Sequence, residues 1–98
     1  MKSGFYDVFV GELQYEEIEV TAGTGYASIA GPLWVGAGPI VDGVYRGVFL
    51  FGGIAGYHVA TPNDDGSLSV QAFFDGTPEP IELTWKSVMQ TADWIQDR

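Results

Sequence analysis

Cysteine is absent from this chain, which excludes a disulfide framework, a thiolate zinc site and a thiol nucleophile. Cations are scarce: four lysines and arginines stand against 13 acids, for a formal charge of −9 and a pI near 4.1. Direct binding to nucleic acid is not expected, because phosphate contacts need clustered Lys and Arg. Long apolar runs are missing too. The longest, Val44 to Val59, is broken by Arg46, His58 and the glycines Gly47, Gly52, Gly53 and Gly56, too short and interrupted to span a bilayer. No basic segment followed by an apolar run opens the chain, so the reading is of a soluble, cytoplasmic protein with no membrane partner.

What is present is a chain of 98 residues, expected to form one β-rich domain over 1–98. The apolar share of 46 % is enough for a core without staples. Fourteen glycines punctuate short runs rich in Val, Ile, Tyr, Phe and Trp, the pattern of many short strands. Strands are expected at Phe5–Leu13, Glu16–Ala22, Tyr26–Ala30, Leu33–Val35, Val44–Phe51, Gly56–Thr61, Ser67–Phe74 and Ile81–Trp85. Asp42-Gly43 is a two-residue hairpin signal, since both turn positions require positive φ. Asn63-Asp64-Asp65-Gly66 and Asp75-Gly76 mark two more turns, and successive hairpins imply antiparallel connectivity.

Alternation predicts the buried faces. Ile18, Val20 and Ala22 face inward while Glu17, Glu19 and Thr21 face water, and Leu68, Val70 and Ala72 form a second inward set. Val44–Phe51 is apolar on both faces; Val48 and Leu50 are expected in the core, with a cover over the other side. A C-terminal helix is expected to supply that cover, because Trp85, Val88, Met89, Ala92 and Ile95 fall on one helical face behind Thr84 as cap; the rival reading extends the strand Ile81–Trp85 and leaves only a short final helix. The expected fold is therefore mainly β: a small antiparallel barrel or sandwich of about six to eight strands with one terminal helix.

Chemical motifs are few. His58 is the only histidine and is read as an outward-facing or satisfied strand residue, with no partner for base chemistry. Asn63-Asp64-Asp65-Gly66 is oxygen-rich like a calcium loop but lacks the late glutamate such a loop requires, so it is read as a turn. Gly36-Ala37-Gly38-Pro39 and Gly52-Gly53 lack the strand–loop–helix context of phosphate-binding glycines. No catalytic residue, cofactor site or metal site is assigned. The acids form two groups: Glu12, Glu16, Glu17 and Glu19, then Asp64, Asp65, Asp75, Glu79 and Glu82.

The opening Met1-Lys2-Ser3-Gly4-Phe5-Tyr6-Asp7-Val8-Phe9-Val10 resembles the start of small lipocalin-like regulators, the family of the negative regulator of type III secretion. Gly25-Tyr26-Ala27-Ser28-Ile29, Trp34-Val35-Gly36-Ala37-Gly38 and Tyr45-Arg46-Gly47-Val48-Phe49 extend the resemblance loosely over about the first fifty residues. Gly36-Ala37-Gly38 departs from the family's Gly-Gly-Asp, and Lys86–Arg98 fits a helix in place of a last strand. The resemblance implies an eight-stranded barrel that works by binding a partner protein.

Three functions compete. The leading expectation is a non-enzymatic regulator or inhibitor, of the kind found among immunity proteins and phage antagonists of host defence. It would occupy a basic surface of a protein partner, in its strongest form by mimicking nucleic-acid charge. Its expected binding residues are Glu12, Glu16, Glu17, Glu19, Asp64, Asp65 and Asp75, with Trp34 as an exposed aromatic anchor. The alternative is a lipocalin-like barrel carrying an apolar small molecule in a cavity lined by Phe5, Tyr6, Trp34, Tyr45, Phe49, Phe73 and Trp85. An enzyme using the paired carboxylates Glu17 and Glu19 ranks last. The doubly apolar strand, with Leu33 and Trp34, also suggests a homodimer.

Overall fold

The computed structural model of the chain describes residues 1–88. Eight strands follow one another: β1 (Gly4–Val10), β2 (Leu13–Gly23), β3 (Tyr26–Ala30), β4 (Trp34–Val41), β5 (Val44–Phe51), β6 (Ile54–Pro62), β7 (Leu68–Phe74) and β8 (Ile81–Ser87). Each pairs antiparallel with the next, and β8 returns to β1, so the sheet is a closed up-and-down barrel. The β4–β5 hairpin turns at Asp42 and Gly43 with φ of 53° and 79°, the paired positive values of a two-residue turn that matches strand twist. Among the described residues no helix is long and apolar enough to cross a membrane.

The barrel interior holds the core. Ile18 and Val20 on β2, and Leu68, Val70 and Ala72 on β7, point inward and are buried, following the alternation. On β5 the expectation is reversed. Tyr45 and Phe49 point inward, while Val48 and Leu50 are 68 % and 51 % exposed. A strand apolar on both faces does not specify its own register. Here the inward face goes to the rings, and glycines leave them room: Gly56 on β6 for Phe49 and Gly47 on β5 itself for Tyr45. A Cβ on Gly56 would meet Phe49 Cζ at 2.6 Å.

The expected helix does not begin at Thr84. Thr84, Trp85 and Lys86 lie in β8, where Trp85 sits opposite Val8 of β1 and Leu68 of β7 and is buried inside the barrel. Apolar spacing alone fits either element; pairing two strand edges that would otherwise be open decides for strand. No element among the described residues is a helix, and Met89, Ala92 and Ile95 lie outside those residues.

Alternate connections share an end. Residues 11–12, 31–33, 52–53 and 75–80 form one rim; 24–25, 42–43 and 63–67 form the other. The second end is plugged: Met1 packs on the core, and buried Tyr6 donates its hydroxyl to the Lys2 carbonyl at 2.7 Å. On the first rim a β-bulge sets Val8 opposite Glu16 and Phe9 opposite Gln14, leaving Tyr15 unpaired.

Leu68→Ala is expected to cost about 2–5 kcal/mol of stability, the usual range for emptying a packed core position. Leu50→Ala, on the outer face, should change it by no more than about 0.5 kcal/mol. Urea denaturation of both variants checks the assignment, and equal losses would show that the faces are inverted.

Candidate functional site

The unplugged end opens into a cavity of about 290 Å³, lined by Val8, Val10, Tyr15, Glu16, Trp34, Phe49, Phe51, His58, Ala72, Phe74, Ile81, Leu83 and Trp85. Residues at the strand ends near this rim, including Val10, Tyr15, Phe51, Phe74 and Ile81, make its mouth. The wall is almost wholly apolar. The polar side chains in the lining are those of Tyr15, Glu16 and His58, with the indoles of Trp34 and Trp85 beside them.

His58 forms part of the floor and is 3 % exposed. The rings of Trp34, Tyr45, Phe49 and Trp85 surround it with centroid separations of 5.0–5.7 Å. Tyr45 Oη and His58 Nε2 share a buried hydrogen bond of 2.7 Å. Two glycines make this arrangement possible: a Cβ on Gly36 would lie 3.2 Å from His58 Nε2, and one on Gly47 would overlap the Tyr45 hydroxyl. Burial lowers the His58 pKa from 6.5 to about 4 and pushes the Tyr45 phenol far above its usual range. The imidazole is therefore neutral at pH 7. Its only hydrogen-bond partner among the described residues is a phenol, so no carboxylate orients it for base catalysis.

Trp34 is a correction. It was expected as an exposed anchor in a glycine-flanked loop, but it opens β4 and is only 9 % exposed. Its ring packs edge-on against Phe49 and His58, and its Nε1 donates to Glu16 Oε1 at 2.5 Å. Pairing with a carboxylate satisfies the indole N–H and allows a large ring to fold inward. Trp85, 1 % exposed, differs: its Nε1 is buried with no hydrogen-bond partner among the described residues. Such an orphaned donor costs about 1–3 kcal/mol until an acceptor reaches it.

The acids do not converge. Glu16 faces the cavity, whereas Glu17 and Glu19 stand on the outer face of the same strand. Glu12 and Asp75 lie in loops of the open rim, and Asp64 and Asp65 in the loop at the opposite end. Asp65 accepts from Ser67 N at 2.9 Å and Ser67 Oγ at 2.6 Å, which lowers its pKa and accounts for the acidic turn as a self-capped loop. Of the aromatics expected around a cavity, Trp34, Phe49 and Trp85 line it. Tyr6 and Tyr45 are buried outside its lining, Phe5 is exposed, and Phe73 stacks on Tyr57 on the outer wall. The roles of Glu16, Phe51, Phe74 and His58 in the cavity were not foreseen. The signal available was the inward parity of Glu16 with Ile18 and Val20.

Comparison with known protein families, characterised proteins and solved structures finds no match for this chain.

The buried imidazole makes stability depend on pH with a definite sign. Between about pH 6.5 and pH 4 the unfolded chain binds a proton that the folded chain refuses, so stability falls as pH falls through that window. The full effect is on the order of 3 kcal/mol. Urea midpoints measured from pH 7.5 to 4 should drop in the parent, and the drop should be smaller in His58→Phe. Parallel curves for the two proteins would place a charged histidine in the fold.

Proposed function

We propose that this protein is a small-molecule binding barrel, taking a compact and mostly apolar ligand through the open rim. One observation carries the reading: a cavity of about 290 Å³, apolar over nearly all its wall, with a few polar groups fixed among the rings. That volume stands at the lower end of the range for small-molecule sites. An eight-stranded barrel is also the size at which the interior either fills with side chains or holds one small ligand.

The reading as a protein-binding regulator is second. Its support is the charge of −9, together with an outer apolar band in which exposed Val48 and Tyr57 sit side by side, with exposed Val35 opposite Leu50. Such a band fits a protein partner, a second copy included. The dispersal of the acids over both ends and the outer wall removes the single charged face that nucleic-acid mimicry needs, and Trp34 is not on the surface to anchor it.

Straight-chain alcohols from hexanol to decanol provide the test of the cavity. Each added methylene buried contributes about 0.8 kcal/mol, so Kd should tighten roughly fourfold per carbon until the cavity is full. Ala72→Leu projects extra side chain into the same space and should weaken octanol at least tenfold while the protein stays folded. Calorimetric titration reads both effects. Absence of saturable binding, or equal binding by Ala72→Leu, would refute the reading.

A further inference from the structure

Among the described residues, the cavity wall carries one carboxylate and no cation. Glu16 is half-buried, and it shares a cross-strand row of the inner wall with Val8 and Trp85. Its only hydrogen-bond partner among the described residues is Trp34 Nε1. The described cations are elsewhere: Lys2, Arg46 and Lys86 are exposed, and Lys86 Nζ lies over the outward Phe9 ring, 4.8 Å from its centroid. A carboxylate set among apolar walls loses hydration, and one indole N–H replaces only part of it. The remaining demand is for positive charge.

The rings point the same way. Trp34, Phe49, Phe51, Phe74 and Trp85 present aromatic surface to the cavity, and ring faces attract an ammonium group, most strongly where water is excluded. The formal charge of −9 raises the concentration of cations around the molecule before any contact forms. An anionic ligand meets the opposite: repulsion from Glu16, with no lysine or arginine in the lining to offset it.

We infer that the ligand class is a hydrophobic amine, its apolar body over the rings and its ammonium group against Glu16. The inference rests on the cavity-binding reading and specifies its chemistry.

Three ligands of one length separate the possibilities: octylamine, octanol and octanoate, titrated into the intact chain at pH 7.5 by calorimetry. Octylamine should bind at least tenfold tighter than octanol, and octanoate at least tenfold weaker. Glu16→Gln keeps an acceptor for Trp34 and should bring octylamine within about threefold of octanol, with octanol unchanged. Glu17→Gln, on the outer face, removes the same charge and should preserve the amine preference. Equal affinities for amine and alcohol, or loss of the preference in Glu17→Gln as much as in Glu16→Gln, would overturn the ammonium inference while leaving the cavity reading intact. Binding of none of the three would overturn both. The ranking in the parent protein stands as a test even if Glu16→Gln fails to fold.

Discussion

Everything inside this molecule depends on the pairing of β8 with β1. Tyr6, Asp7, Val8 and Phe9 lie opposite Ser87, Lys86, Trp85 and Thr84, and with that ladder the last two edges disappear. An open sheet of the same strands would expose two rows of backbone donors and acceptors and leave its apolar face to find another cover. Closure turns that face into an interior whose width is set by strand number. Trp85 belongs to both events: its backbone completes the ring of strands, and its side chain enters the space thereby enclosed.

Two kinds of side chain then divide the interior. Toward the plugged end, Val20, Ala27, Ile29, Leu68 and Val70 are aliphatic or small and pack against one another and Tyr6. Toward the open end Trp34, Phe49, Phe51, Phe74 and Trp85 join the aliphatic Val8, Val10, Ala72, Ile81 and Leu83. Aliphatic chains have the torsional freedom to fill gaps, whereas flat rings braced edge to face cannot collapse into the space between them. Phe74 illustrates the bracing, with edge-on contacts to both Phe49 and Phe51. The cavity lies among these braced rings.

Much of the fold is legible in the sequence, and the illegible parts have identifiable causes. β3 and β5 fall at the expected residues, and the Asp42-Gly43 turn forms, because β-propensity and turn chemistry act locally. The inward sets on β2 and β7 are readable because charged or polar residues mark the outer face. β5 carries no such mark, and its inward Phe49 ring occupies space that Gly56 leaves free on β6. Trp85 through Ser87 suits a helix as well as a strand in isolation; only the open edges of β1 and β7 distinguish them. The site was legible in part. Trp34, Phe49 and Trp85 suggest an aromatic lining, but the bond between Trp34 and Glu16 joins residues 18 apart and has no local signature.

That bond changes what the acidic character of the chain means for the interior. Most of the acids face water, where their charges are screened within about 10 Å at ordinary ionic strength. Glu16 is different because Trp34 holds it beside low-dielectric walls, where the same charge acts more strongly. Trp34 in turn touches His58, Phe49 and Trp85, so one indole connects the mouth of the cavity to its floor. A substitution at Trp34 would disturb the carboxylate, the imidazole environment and the cavity volume together, and its effect on binding could not be assigned to any one of them. Glu16→Gln alters charge while retaining shape and an acceptor. The proposed ammonium contact is therefore resolved at Glu16, whose carboxylate the Trp34 indole holds in place.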